Sequence, residues 1–174
     1  RLPDKESGVQ PSVMMTKPLK GNLDTIKQIV KNRPIEVGVI VLGNSYDVES
    51  IYTSMKNRLN GSDILLQGYL GRPKKNMELK DHSALKFDIR PSVTVVHKNS
   101  CKGLEFDTVF VMLAEKLGHL EVMELQSFRD LYVACSRARE ELKVCFGTPS
   151  AGPLPSAVGF MPKPEKKLCG YFGD

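Results

Sequence analysis

Two rhythms of apolar residues alternate along the chain. Residues 36–43, "EVGVIVLG", are apolar almost without interruption, the pattern of a strand covered on both faces. The stretch that follows, "NSYDVESIYTSMKNRLN", changes to helical spacing, with Val48, Ile51, Tyr52, Met55 and Leu59 on one stripe. Asn44 or Ser45 can cap this helix, Asp47 and Glu49 stand in its first turn, and Gly61 stops it. The alternation recurs on either side. Residues 11–16 predict a short strand, and Asn22 is expected to cap a helix that carries Leu23, Ile26, Ile29 and Val30 on one face and ends before Pro34. Residues 63–70, 92–97 and 107–113 predict further strands, and 71–91 a polar, basic connection with one short helix. Leu125, Phe128, Leu131, Tyr132 and Cys135 recur at helical spacing, with Arg137 and Arg139 expected late in the same helix. Residues 142–147 make a last strand.

Helices alternating with apolar strands predict an α/β fold, an open and mainly parallel sheet flanked by helices. In such sheets the chemistry sits where strands pass into loops at their carboxyl ends. One domain is expected over residues 1–150, followed by a Pro-, Gly- and Lys-rich tail over 151–174. A length of 174 residues suits a single domain, and 25 Lys and Arg against 20 Asp and Glu give a net charge of +5, which favours a polyanionic partner without naming it. The four cysteines form no CxxC pair and have no His at zinc-finger spacing, so buried, reduced thiols are expected. The polar start has no signal-peptide core, and no run of eighteen apolar residues occurs, which predicts a cytoplasmic chain with no membrane contact. A first residue of Arg suggests a piece of something longer.

No GxxxxGK[ST] phosphate loop is present. "GNSYDVES" follows a strand at the right place but has neither the second Gly nor the Lys, so a capped helix start is the better reading. There is also no GxGxxG and no acidic metal pair. The chain alone is not expected to hydrolyse ATP.

The stretch "HKNSCKGLEFDTVFV" puts polar groups at the mouth of an apolar strand, where burying an unpaired charge is costly. Further on stands "LYVACSRAREEL". Together, in this order, the two resemble the C-terminal half of superfamily 1 helicases of the UvrD/Rep type. There a KGLEF segment (motif V) and a YVAxTRA segment (motif VI) both belong to the second RecA-like domain. Lys102 to Asp107 match the first, and Leu131 to Ala138 match the second with Ser136 for the usual Thr. The resemblance covers residues 8–148, "GVIVLGNSYDVESIYTSMKNRL" included. It implies a RecA-like fold of the P-loop NTPase kind without a P-loop of its own.

By the same resemblance Arg137 would reach the γ-phosphate of ATP held by an N-terminal RecA-like domain of the same polypeptide, where the magnesium ligands are also expected. Arg suits that task because its charged planar fork grips phosphate oxygens. Glu105 would accept a hydrogen bond from the ribose, and Gly103 would let the backbone come close. The family's DNA-contacting Thr and His are replaced by His97 and Asn99. With Lys98 and Ser100 these would meet the backbone of single-stranded or partly duplex DNA. His97 reads equally as a strand-end His satisfied by its surroundings. Arg129 is expected to form an ion pair, with an approach to the nucleotide as the second reading; Arg139 is assigned no role. The basic cluster at 71–75 reads as a solvated loop. The implied activity is that of an ATP-dependent DNA helicase, complete only with its N-terminal domain. The alternatives are a RecD-like or RNA-directed superfamily 1 translocase, and a non-catalytic nucleic-acid-binding module on the same fold.

Overall fold

A computed structural model describes residues 10–14, 19–70, 82–117, 125–147, 161–163, 166 and 169–172. Seven strands form one sheet: β1 (Ser12–Met14), β2 (Glu36–Val41), β3 (Leu65–Tyr69), β4 (Ser92–His97), β5 (Phe106–Met112), β6 (Ala138–Cys145) and β7 (Gly170–Phe172). They lie in the order β3-β4-β2-β5-β6-β1-β7, and every described ladder is parallel. Among the described residues three α-helices accompany them: α1 (Leu19–Asn32), α2 (Ser45–Leu59) and α3 (Leu125–Cys135). This is the α/β class with a parallel sheet expected from the alternation, and it is consistent with the RecA-like fold that the resemblance implies.

Side chains of a strand point alternately to opposite faces, so the sheet sorts its apolar residues into two cores. Val37, Val39 and Val41 of β2 join Leu23, Ile26 and Val30 of α1 and Val48, Ile51 and Met55 of α2 on one face. Ile40 of the same strand joins Phe106, Val109 and Val111 of β5 and Leu131 and Ala134 of α3 on the other. The interior strand β2 is buried at every position, as its unbroken apolar run requires.

The beginning of α2 shows why the sequence "GNSYDVES" is no phosphate loop. The Asn44 side chain accepts the amides of Tyr46 and Asp47, and the Asp47 carboxylate accepts the Asn44 amide at 2.7 Å. Lys116 closes on Asp47 at 2.7 Å. The helix start supplies its own anion and that anion's counter-charge.

Four expectations are corrected. Asn22 does not cap α1, which begins earlier at Leu19; it is buried within the helix. Strand β6 begins at Ala138, not at residue 142, so Arg137 lies in the turn after α3 and Arg139 in the strand. On α3 the packing is done by Leu131 and Ala134, while Phe128 and Tyr132 are exposed. Residues 170–172, within the segment read as a tail, form a strand beside β1. The basic cluster at 71–75 lies outside the described residues.

Candidate nucleotide and nucleic-acid interface

The segment between β4 and β5 must pass β2, which separates those strands in the sheet. It does so by a short turn at Lys98–Ser100 and then by returning along one face, with Cys101 and Leu104 buried against the core. At its end Leu104 N–H donates to the Cys101 carbonyl at 3.2 Å, closing a turn in which Gly103 has φ of +78°. A positive φ in the third place of a turn whose second residue is ordinary is what a type II turn requires, and Gly takes it without strain. A side chain at Gly103 would meet open space, so its turn conformation accounts for the Gly. This turn leaves Lys102 and Glu105 exposed on either side of buried Leu104.

Arg137 is bound into the same place. Its Nε donates to the Val133 carbonyl at 3.0 Å, Nη1 to the Leu104 carbonyl at 3.3 Å and Nη2 to Ser136 Oγ at 2.9 Å. The first of these satisfies a carbonyl left over at the end of α3. The Arg137 carbonyl in turn accepts the Phe106 amide at 3.0 Å. A guanidinium has five N–H donors, so these three bonds leave one hydrogen on each terminal nitrogen. The group is oriented by the protein and still able to grip an anion.

Arg139, to which the sequence assigned no role, lies in a charged cluster at the start of the strands. It stands 3.5 Å from Glu105, 3.4 Å from Glu36 and 3.6 Å from Asp107. Arg90 donates to both Asp107 oxygens at 2.9 Å and lies 3.7 Å from Glu36. Glu36 and Asp107 are almost fully buried. Burial alone would raise the Asp107 carboxyl, but the Glu36 amide, Arg90 and Arg139 outweigh it and hold it below its ordinary range. The sequence signal for this cluster is Glu36 and Asp107, carboxylates at the start of apolar strands; their two Arg partners come from elements whose pairing the sequence does not spell out.

At the carboxyl end of β4, His97 has both ring nitrogens engaged. Nε2 lies 2.9 Å from the Gly43 carbonyl, and Nδ1 accepts the Asn99 amide at 3.2 Å. The second bond fixes the tautomer, with the proton on Nε2. Burial pushes the His97 pKa down, more than the Gly43 carbonyl raises it, so the ring is neutral near pH 7. Both partners are those expected of a strand-end His satisfied by its surroundings. Lys98 pairs with Asp130 of α3 at 2.8 Å. Asn99 is exposed and Ser100 half-buried beside it. The ion pair expected of Arg129 is not found: it is exposed and meets no carboxylate among the described residues.

The four thiols are free. Burial pushes Cys135 and Cys145 up to about 12, which leaves them inert. Among the described residues no helix is long and apolar enough to cross a membrane.

Residues 92–145, from the first residue of β4 to the last of β6, match the model of the UvrD-like helicase C-terminal domain. The span contains the turn, the buried return and the Arg137 clasp. The fold is similar to the crystal structure of the C-terminal domain of a possible DNA helicase from Lactobacillus plantarum WCFS1, with a TM-score of 0.57 and 23% identity over 93% of this chain and 84% of that one. No curated protein sequence matches. The family match covers residues 92–145, and the likeness to the solved structure shows the fold of the chain around them.

Proposed function

We propose that this chain is the second RecA-like motor domain of an ATP-dependent superfamily 1 DNA helicase or translocase, completing an ATP site whose phosphate loop and magnesium ligands lie on another RecA-like domain. The observation that carries the reading is the clasp between Arg137 and the 104–106 backbone. It sets an oriented guanidinium with two spare N–H groups on the Leu104 carbonyl, and the next residue is an exposed carboxylate, Glu105, which Arg139 meets at 3.5 Å. That donor set fits a nucleotide: the fork suits phosphate oxygens and the carboxylate suits a ribose hydroxyl.

ATP would bridge the two domains, with Arg137 against the γ-phosphate, Glu105 at the ribose and Gly103 shaping the turn between them. Such an Arg is worth about 10³ to 10⁵ in rate where it has been removed from phosphoryl-transfer sites. Magnesium would supply charge neutralisation from the other domain. Single-stranded DNA would pass the carboxyl end of β4, where Lys98, Asn99 and Ser100 present polar groups and His97 keeps their turn in shape. Hydrolysis would release the grip between the domains and so move the strand.

The test joins this chain to a phosphate-loop-bearing RecA-like domain in one polypeptide and follows DNA-stimulated ATP hydrolysis. The isolated chain should show no turnover, and Arg137→Ala in the joined protein should abolish it while nucleotide binding survives. Steady hydrolysis by the isolated chain, or full activity without Arg137, would remove the reading.

A further inference from the structure

A cleft of about 390 Å³ opens between the Lys98–Ser100 turn and the outer side of α3, bordered by Lys98, Asn99, Lys102, Arg129, Asp130 and Tyr132. Its charges are unequally used. Lys98 is neutralised by Asp130 at 2.8 Å, and Asp130 also accepts from Gln126 at 2.6 Å. Lys102 and Arg129 are exposed and meet no carboxylate among the described residues. Tyr132, one helical turn beyond Arg129, is 74% exposed.

Packing does not account for that ring, since Leu131 and Ala134 already carry the apolar contact of α3 with the sheet. Residues three apart on a helix are neighbours, so Arg129 and Tyr132 present a cation and an aromatic face side by side. An exposed ring beside cations that meet no carboxylate among the described residues is the pairing that single strands use: phosphates take the charges, and an unstacked base takes the ring. A duplex keeps its bases stacked within itself and offers nothing to Tyr132. An acidic peptide would use the cations but leave the ring idle.

We propose that this cleft is a further stretch of the single-stranded DNA track, which continues from the Lys98–Ser100 turn onto α3, with Lys102 and Arg129 on the phosphates and Tyr132 under a base. The inference rests on the nucleic-acid reading above and adds a surface to it. Asp130 acts here as a brake, since it occupies Lys98 and sets a negative charge beside the path.

The experiment measures binding of a labelled oligo(dT) to the purified chain by fluorescence anisotropy over a range of salt, with a thermal melt of each variant to confirm the fold. Arg129→Ala and Lys102→Ala should each weaken binding several-fold and lower the salt slope by about one. Tyr132→Ala should weaken it by roughly 5- to 100-fold, yet leave unchanged the affinity for an abasic strand of equal length. Asp130→Asn should bind more tightly than the parent. Parental affinity in the Arg129→Ala/Tyr132→Ala double variant, with a loss in Asn99→Ala, would overturn this track and leave the nucleic-acid reading standing. A Tyr132 effect of the same size on the abasic strand, or an equal affinity for polyglutamate lost in the same variants, would also overturn it. No binding of oligo(dT) by the chain would overturn both.

Discussion

The Arg137 guanidinium donates to the Leu104 carbonyl at 3.3 Å across a sequence separation of 33 residues. The bond ties the two segments of the proposed nucleotide site, and it makes Arg137 a structural residue before any ligand arrives. Phosphate recognition and the end of α3 therefore depend on one side chain.

Replacing Arg137 should accordingly show in stability as well as in turnover. Each hydrogen bond of this kind contributes about 0.5–1.5 kcal/mol, so Arg137→Ala, which removes three of them, should lose roughly 1.5–4.5 kcal/mol in urea unfolding of the isolated chain. Arg137→Lys keeps the charge but has no fork, and should recover only part of this. In the joined two-domain protein both variants should lose hydrolysis by about 10³-fold or more. Unchanged unfolding of the Ala variant would mean that the three contacts orient nothing.

Gly38 sits in the middle of the interior strand β2, and a methyl group there would drive into the ring of Phe106. Both flanking strands are locked in parallel register with β2, so neither backbone can move aside cheaply. Gly38→Ala should destabilise the chain by about 1–3 kcal/mol through overpacking. Phe106→Leu in the same background should relieve part of that loss, and the double-mutant cycle measures the coupling. Additive effects would show that the contact is relieved some other way.

Much of this molecule could be read from apolar rhythm alone. Strand β2 and helix α2 are bounded by an unbroken apolar run, a capping Asn and a stopping Gly, so local chemistry and tertiary packing agree. The reading failed where packing overrode the local signal. Asn22 looks like a cap but is buried within α1 beside Leu23, Ile26 and Val30. The helical spacing of Phe128 and Tyr132 suggested a buried face, yet the return segment with Cys101 and Leu104 shares that side of the sheet with α3 and leaves both rings outside. Arg139 carried no signal of its own. Its partners, Glu36 and Asp107, come from strands that meet only in the sheet.

Acid should unfold the chain in two stages. Burial holds the His97 pKa below the usual 6.5, so the unfolded chain takes up a proton there before the folded one does. Stability is full above that value and declines as pH falls through the folded pKa. Asp47, Asp107 and Asp130 each sit below the usual 3.8: burial would raise them, but Lys116 and Asn44, the Glu36 amide and Arg90, and Lys98 and Gln126 respectively outweigh it. Their contribution is present above the unfolded value and is lost as pH falls through their folded pKas. Urea midpoints at about pH 7.5, 5.5 and 2.5 should show a shallow loss and then a steep one. His97→Gln should flatten the first step and leave the second. Equal midpoints at the two higher pH values would show that the ring titrates as it does in the unfolded chain.

Thr108 offers the opposite kind of change, a gain. It lies within β5 with no exposed surface, and its Oγ1 has no hydrogen-bond partner among the described residues. A buried hydroxyl without a partner costs about 1–3 kcal/mol in desolvation, a cost that a methyl group of nearly the same shape does not carry. Strand backbone and side-chain branching are also kept by Val, which suits the pleated surface at least as well as Thr. Thr108→Val should therefore raise stability by roughly 1 kcal/mol and shift the melting temperature upward by a few degrees. The change lies inside the sheet and touches neither the Gly103 turn nor the Arg137 clasp, so DNA binding should stay as it is. A loss of stability would reveal a partner for the hydroxyl, and Thr108→Ser separates the cases: it keeps such a bond and loses only the methyl.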